Sequence, residues 1–97
     1  MRKVISSDDD AQALALQALT WMMADSDMLQ GFMAQSGASP EMFGELVTSR
    51  AFLVSVLEFL TSDDAHVLAF TQPLGLEPIM PLEALRQLQG QAGRNWT

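Results

Sequence analysis

The sequence predicts an all-α domain, a compact bundle of about six short helices built from two related three-helix halves. Three observations carry this. Residues 12–49 and 50–87 align without a gap at an offset of 38. Each half opens with a segment that is apolar almost all round, with a thin polar stripe at matching positions. Glycine and proline then recur at matching places. The identical pairs are Ala13/Ala51, Leu19/Leu57, Asp25/Asp63, Phe32/Phe70, Gly37/Gly75, Pro40/Pro78, Met42/Met80 and Glu45/Glu83. Ordinary composition gives roughly 2 or 3 chance matches over such a length.

The first helix spans about Asp10–Ala24 and its counterpart opens the second half. Ala13, Gln17, Thr20 and Ala24 are spaced four, three and four, so they share one helical face. Adding 38 gives Ala51, Ser55, Glu58 and Ser62. Helices with so narrow a polar stripe are mostly buried, which makes these two the central pair. Trp21 and Phe59 are expected near the centre.

Asp25 and Asp63 are short carboxylates that suit helix N-caps. Second helices follow at about Ser26–Ser36 and Asp64–Gln72. They turn Met28, Leu29, Phe32 and Met33 inward in one half, and His66, Val67 and Phe70 in the other. Gly37 and Gly75 can take the left-handed conformation that ends a helix. Ser39 and Pro40 then open a short third helix to about Val47, since proline needs no amide at that position. The last helix begins near Pro78 or Pro81, with a tight turn, and is expected to stop at Gly90. Leu82, Leu85 and Leu88 share one of its sides. The organisation expected is a flexible segment 1–9, a single helical domain 10–90 and a flexible tail 91–97.

Composition excludes several function classes. Twelve acidic against five basic side chains give a net charge of -7, contrary to the clustered Lys and Arg that bind nucleic acid. Cysteine is absent, which removes disulfides, thiolate nucleophiles and Cys-ligated zinc. A single histidine cannot build a multi-His metal site in one subunit. Arg2 and Lys3 precede the acidic run Asp8-Asp9-Asp10 rather than a long apolar stretch, which does not suit a signal peptide. The apolar run Leu14–Ala24 is far shorter than the ~20 residues of a membrane span. A cytoplasmic protein without membrane attachment is expected.

Candidate chemistry is sparse, and no catalytic, cofactor-binding or metal-binding residue is assigned. His66 would need a serine such as Ser55 or Ser62 and an acid such as Asp63 to form a triad, and no nucleophile elbow is present. Asp25-Ser26-Asp27 opens like a calcium loop, but Leu29, Gln30 and Ser36 fall where a ligand, a glycine and a bidentate glutamate are needed. Asp8-Asp9-Asp10 suits a helix N-terminus capped by Ser7. Gly31, Gly37 and Gly44 are too scattered for a phosphate loop.

The run Ala11-Gln12-Ala13-Leu14-Ala15-Leu16-Gln17-Ala18-Leu19-Thr20-Trp21 resembles the opening of a small alphaproteobacterial family, domain-of-unknown-function family 3572. So do Phe32 followed by Gly37, and Phe52-Leu53-Val54-Ser55-Val56-Leu57-Glu58-Phe59-Leu60 followed by Asp63. The resemblance covers roughly residues 11–88. It rests on an apolar pattern, implies small all-helical proteins and brings no activity, substrate or site residue. A position of members beside response-regulator genes would favour an accessory role in signalling.

The function expected is a small non-enzymatic interaction or adaptor module, with an apolar-ligand-binding domain as the rival and an enzyme third. Five of the seven methionines lie between residues 22 and 42, and flexible thioethers suit both core filling and adaptable binding surfaces. Gly31 and Gly44 remove side-chain cover in the first half, where the second half has Ala69 and Leu82. An exposed apolar patch is therefore expected at Met23, Met33, Met42 and Phe43, bordered by Asp27, Glu41 and Glu45. It would take a basic amphipathic helix or a second copy of the chain.

Overall fold

A computed structural model describes residue 5 and residues 7–93, with side chains as far as residue 90. Six α-helices follow one another: α1 (Asp8–Met23), α2 (Ser26–Ser36), α3 (Phe43–Leu46), α4 (Arg50–Thr61), α5 (Asp64–Leu74) and α6 (Met80–Gly93). A 3-10 turn at Pro40–Met42 leads into α3. Among the described residues there is no strand.

The caps explain the helix boundaries. The amide of Asp10 donates to Ser7 Oγ, starting α1 with three carboxylates in its first turn, where negative charge complements the helix dipole. Asp25 Oδ1 accepts from the amides of Asp27 and Met28. Asp63 Oδ1 accepts from Ala65. Gly37 and Gly75 hold φ of 77° and 68° just past α2 and α5. At Gly75 the amides of Gly75 and Leu76 donate to Gln72 and Thr71, a Schellman closure of the helix end. The expected positions of both N-caps and both glycine ends therefore hold, and α2 and α5 are offset by 38 at each terminus.

Two ends differ from expectation, and the start of α6 settles on one of the two prolines expected there. Helix α5 runs through Pro73 to Leu74 rather than stopping at Gln72. A proline in the last turn forfeits one amide bond, from a carbonyl on the exposed residue Ala69 that water can reach. Helix α6 continues past Gly90 to Gly93, because a glycine only permits a helix end. Pro78 lies before α6, in a turn closed by the Met80 amide on the Glu77 carbonyl at 3.0 Å. Pro81, not Pro78, occupies the first turn of that helix. The mobile ends expected at 1–9 and 91–97 fall mainly outside the described residues, although α1 begins at Asp8 and the backbone of 91–93 is helical.

Helices α1, α4 and α6 pack on one another and form the centre. The central pair expected from the sequence is thus a trio. Their buried faces contribute Leu14, Leu19, Met22, Leu53, Val56, Leu57, Leu60, Ala84 and Leu88. The stripe Ala13, Gln17, Thr20 and Ala24 is exposed, as are Ala51, Glu58 and Ser62, with Ser55 half-buried. Helix α2 docks through Phe32, which meets Phe43, Phe52 and Phe59 at ring-centroid distances of 6.0, 5.7 and 5.7 Å. Helix α5 docks through Phe70, 5.6 Å from Trp21. Phe59 is buried, but Trp21 is only half-buried. It packs on Phe70 from the outside rather than sitting at the centre.

One polar cluster ties the central trio at its edge. Arg50, at the start of α4, donates to Asp8 Oδ2 at 2.6 Å and to the Leu88 carbonyl at 3.4 Å. Gln87 Nε2 donates to the other Asp8 oxygen at 3.1 Å. Asp8 thereby offsets a cation that is unfavourable at a helix N-terminus.

Candidate functional site

The chain from the end of α5 into the first turn of α6 reads Leu76-Glu77-Pro78-Ile79-Met80-Pro81. Pro78 restricts the backbone ahead of the helix, and Pro81 fits the helix's first turn, where its missing amide costs nothing. Met80 and Pro81 turn into the core, while Ile79 stays 41% exposed. On α5, Val67 is buried and its neighbour Leu68 is 40% exposed. An open groove of about 560 Å³ runs between these elements, lined by Thr61, Asp64, Val67, Leu68, Pro78, Ile79 and Leu82. Asp64 is its single charged lining residue. The Thr61 hydroxyl donates to the Leu57 carbonyl at 2.8 Å, inside its own helix.

Two smaller clefts flank α2 and α5. One of about 320 Å³ is lined by Gln17, Thr20, Trp21, Phe70, Pro73 and Leu74. The other, about 390 Å³, is lined by Asp25, Asp27, Met28, Gly31, Phe59 and His66. In the second, the imidazole of His66 packs on the Phe59 ring, centroids 5.7 Å apart. His66 Nε2 lies 3.9 Å from Asp63 Oδ2. Its Nδ1 is buried without a hydrogen-bond partner. The two serines weighed as nucleophiles are engaged elsewhere. Ser55 donates to the Phe52 carbonyl and Ser62 to the Phe59 carbonyl, at 2.6 and 2.7 Å. Among the described residues no cluster of three His, Asp or Glu is arranged to hold a metal ion.

The apolar patch expected in the first half is not assembled as foreseen. Phe43 is 4% exposed and belongs to the aromatic core with Phe32 and Phe52. Met33 is half-buried against that core. Met23 and Met42 are exposed, as are Asp27, Glu41 and Glu45. Gly31 does not thin the cover. A Cβ there would come within 3.3 Å of the Phe59 ring, so the glycine lets α2 approach α4 closely.

Two groove residues, Thr61 and Ile79, stand 38 residues after the patch residues Met23 and Glu41. Thr61, Leu68, Ile79 and Leu82 stand 38 residues after Met23, Gln30, Glu41 and Gly44. Gln30, Glu41 and Gly44 of the first half thus correspond to the aliphatic Leu68, Ile79 and Leu82 of the second, whereas Met23 corresponds to the polar Thr61. The signal that could have located the groove was the aliphatic set itself.

A family model described as protein of unknown function (DUF3572) matches residues 8–91. The chain belongs to that family. The match takes in α1 to α5, α6 as far as residue 91 and every residue of the groove, so the groove belongs to the DUF3572 domain itself. No curated protein and no solved structure matches the chain. Among the described residues no helix is long and apolar enough to cross a membrane.

Proposed function

We propose that this DUF3572 domain is a non-enzymatic protein-interaction module that receives a helix of a partner protein in the groove beside α5. The observation that carries the reading is the pair Leu68 and Ile79, which line one open aliphatic groove while remaining about two-fifths exposed. Exposed aliphatic side chains that line one groove cost free energy in water and mark interaction sites. A groove that is apolar along its length and open at the surface suits the apolar face of an amphipathic helix. The polar lining also favours binding over catalysis. Thr61 is bonded within its own helix, and Asp64 stands in the first turn of α5 without a second titratable lining residue beside it. An accessory role in signalling is one setting in which such an adaptor would act.

A small apolar ligand is the second reading, favoured by a volume inside the ~300–1,000 Å³ range of ligand pockets. The two separate by capture from native cell extract. Bait protein should retain a discrete partner, and Leu68→Asp with Ile79→Asp should lose it while keeping the helical circular dichroism. Retention by the double variant would remove the groove from the interface. Loss of a bound small molecule instead of a protein would favour the second reading.

A further inference from the structure

We infer that the partner helix is basic along the edge that faces the N-terminal end of α5. This rests on the groove being a protein-docking site, as proposed above. Asp64 lines the groove, and the Asp63 side chain next to it is 53% exposed. Asp63 uses Oδ1 to cap α5, while its Oδ2 lies 3.9 Å from His66 Nε2. The positive end of the α5 dipole offsets only about half a charge of these two carboxylates. A net negative edge therefore remains, on a chain whose total charge is -7.

Arg86 is exposed one turn beyond Leu82 on α6 but does not line the groove, and Glu77 and Glu83 adjoin the lining residues Pro78 and Leu82 in the chain. Arg50 is engaged by Asp8. Asp64 is therefore the charged group in the lining, and it sets the edge at which Lys or Arg of an incoming helix is favoured.

Designed helical peptides longer than ~15 residues, enough to hold a helix in water, provide the probe. One carries a row of Leu flanked by Lys, a second the same row flanked by Glu, and a third the Leu and Lys composition scrambled. Each is titrated into the isotope-labelled full chain while the amide signals of Leu68, Ile79 and Leu82 are followed. The Lys-flanked helix should shift these signals and bind about threefold to tenfold more tightly than the Glu-flanked one, as expected for a few solvent-exposed charge pairs. Asp63→Asn with Asp64→Asn should remove most of that difference, since asparagine keeps the cap. Arg86→Gln should not weaken the Lys-flanked helix. Equal binding of both helices in the groove would overturn the charge inference and leave the groove reading standing. Equal binding of the scrambled peptide would show general attraction to an acidic protein and overturn it too. If no helix moves the groove signals, the groove reading itself fails. Concentration-dependent shifts without peptide would assign the groove to a second copy of the chain.

Discussion

The ring of Phe32 on α2 packs edge-on against Phe59 on α4, with centroids 5.7 Å apart. Shifting both positions by 38 gives Phe70 and Trp21, which meet at 5.6 Å. Each second helix therefore places its phenylalanine on the aromatic residue of the other half's first helix. An approximate twofold relation between residues 12–47 and 50–85 would produce such reciprocal contacts. Superposition of an experimental structure should match α1–α2 with α4–α5. Equivalent helices packed in a different order or direction would refute the duplication.

The two reciprocal pairs should differ in energetic weight. Phe59 is 8% exposed and enclosed by Phe32, Gly31 and His66, whereas Trp21 is half-buried. Phe59→Ala should cost ~3–5 kcal/mol, the range for a core aromatic, and Trp21→Ala at least ~1 kcal/mol less. Urea midpoints at unchanged m-value measure both. Equal losses would mean that Trp21 supports the core as fully as Phe59.

Glycine substitutions separate backbone strain from packing. Gly37→Ala and Gly75→Ala force a left-handed alanine, at ~1–2 kcal/mol each. Gly44 has ordinary φ and open space around its Cα, so Gly44→Ala should stabilise by up to ~1 kcal/mol. Gly31→Ala has the same propensity gain but presses on the Phe59 ring, and should give less than Gly44→Ala. Thermal midpoints of the four variants rank them, and a stabilising Gly37→Ala would contradict the strain argument.

The helix caps make a further pair. Asp25→Ala leaves the amides of Asp27 and Met28 without their acceptor and should cost about 1 kcal/mol, while Asp25→Asn should cost only a few tenths. Chemical denaturation of the two variants checks this. Similar losses would mean that charge, rather than capping, is what Asp25 provides.

Punctuation was the legible part of this sequence. Asp25, Gly37, Asp63 and Gly75 each act through their own backbone or the next turn, so local chemistry suffices to place them. The exposed stripe at Ala13, Gln17, Thr20 and Ala24 was legible because helical period alone assigns a face. Trp21, Gly31 and Phe43 were misplaced because their burial depends on partners far away in the chain. Phe43 is covered by Phe32 and Phe52, and Gly31 is filled by Phe59. Counting glycines as missing cover thus failed at Gly31 and Phe43, although Met23 and Met42 are exposed as expected. The Asp8–Arg50–Gln87 cluster joins three helices, and no local pattern announces it.

Surface and core apolar side chains should respond differently to charge. Leu68→Asp and Ile79→Asp alter half-exposed positions, so each should cost under ~1 kcal/mol, and relief of surface apolar area can make them neutral. Phe43→Asp buries a carboxylate among rings and should unfold the domain. Circular dichroism and gel filtration report the difference. Unfolding by the groove variants would mark those side chains as core.

The central claim is that the groove, and not the methionine-rich first half, meets a partner. A photo-crosslinking residue placed at Leu68, and separately at Met42, tests it in the native cell. Irradiation should join the Leu68 variant to a discrete protein of different sequence, with no such product from Met42. A product from Met42 alone, or none from either position, would contradict the account.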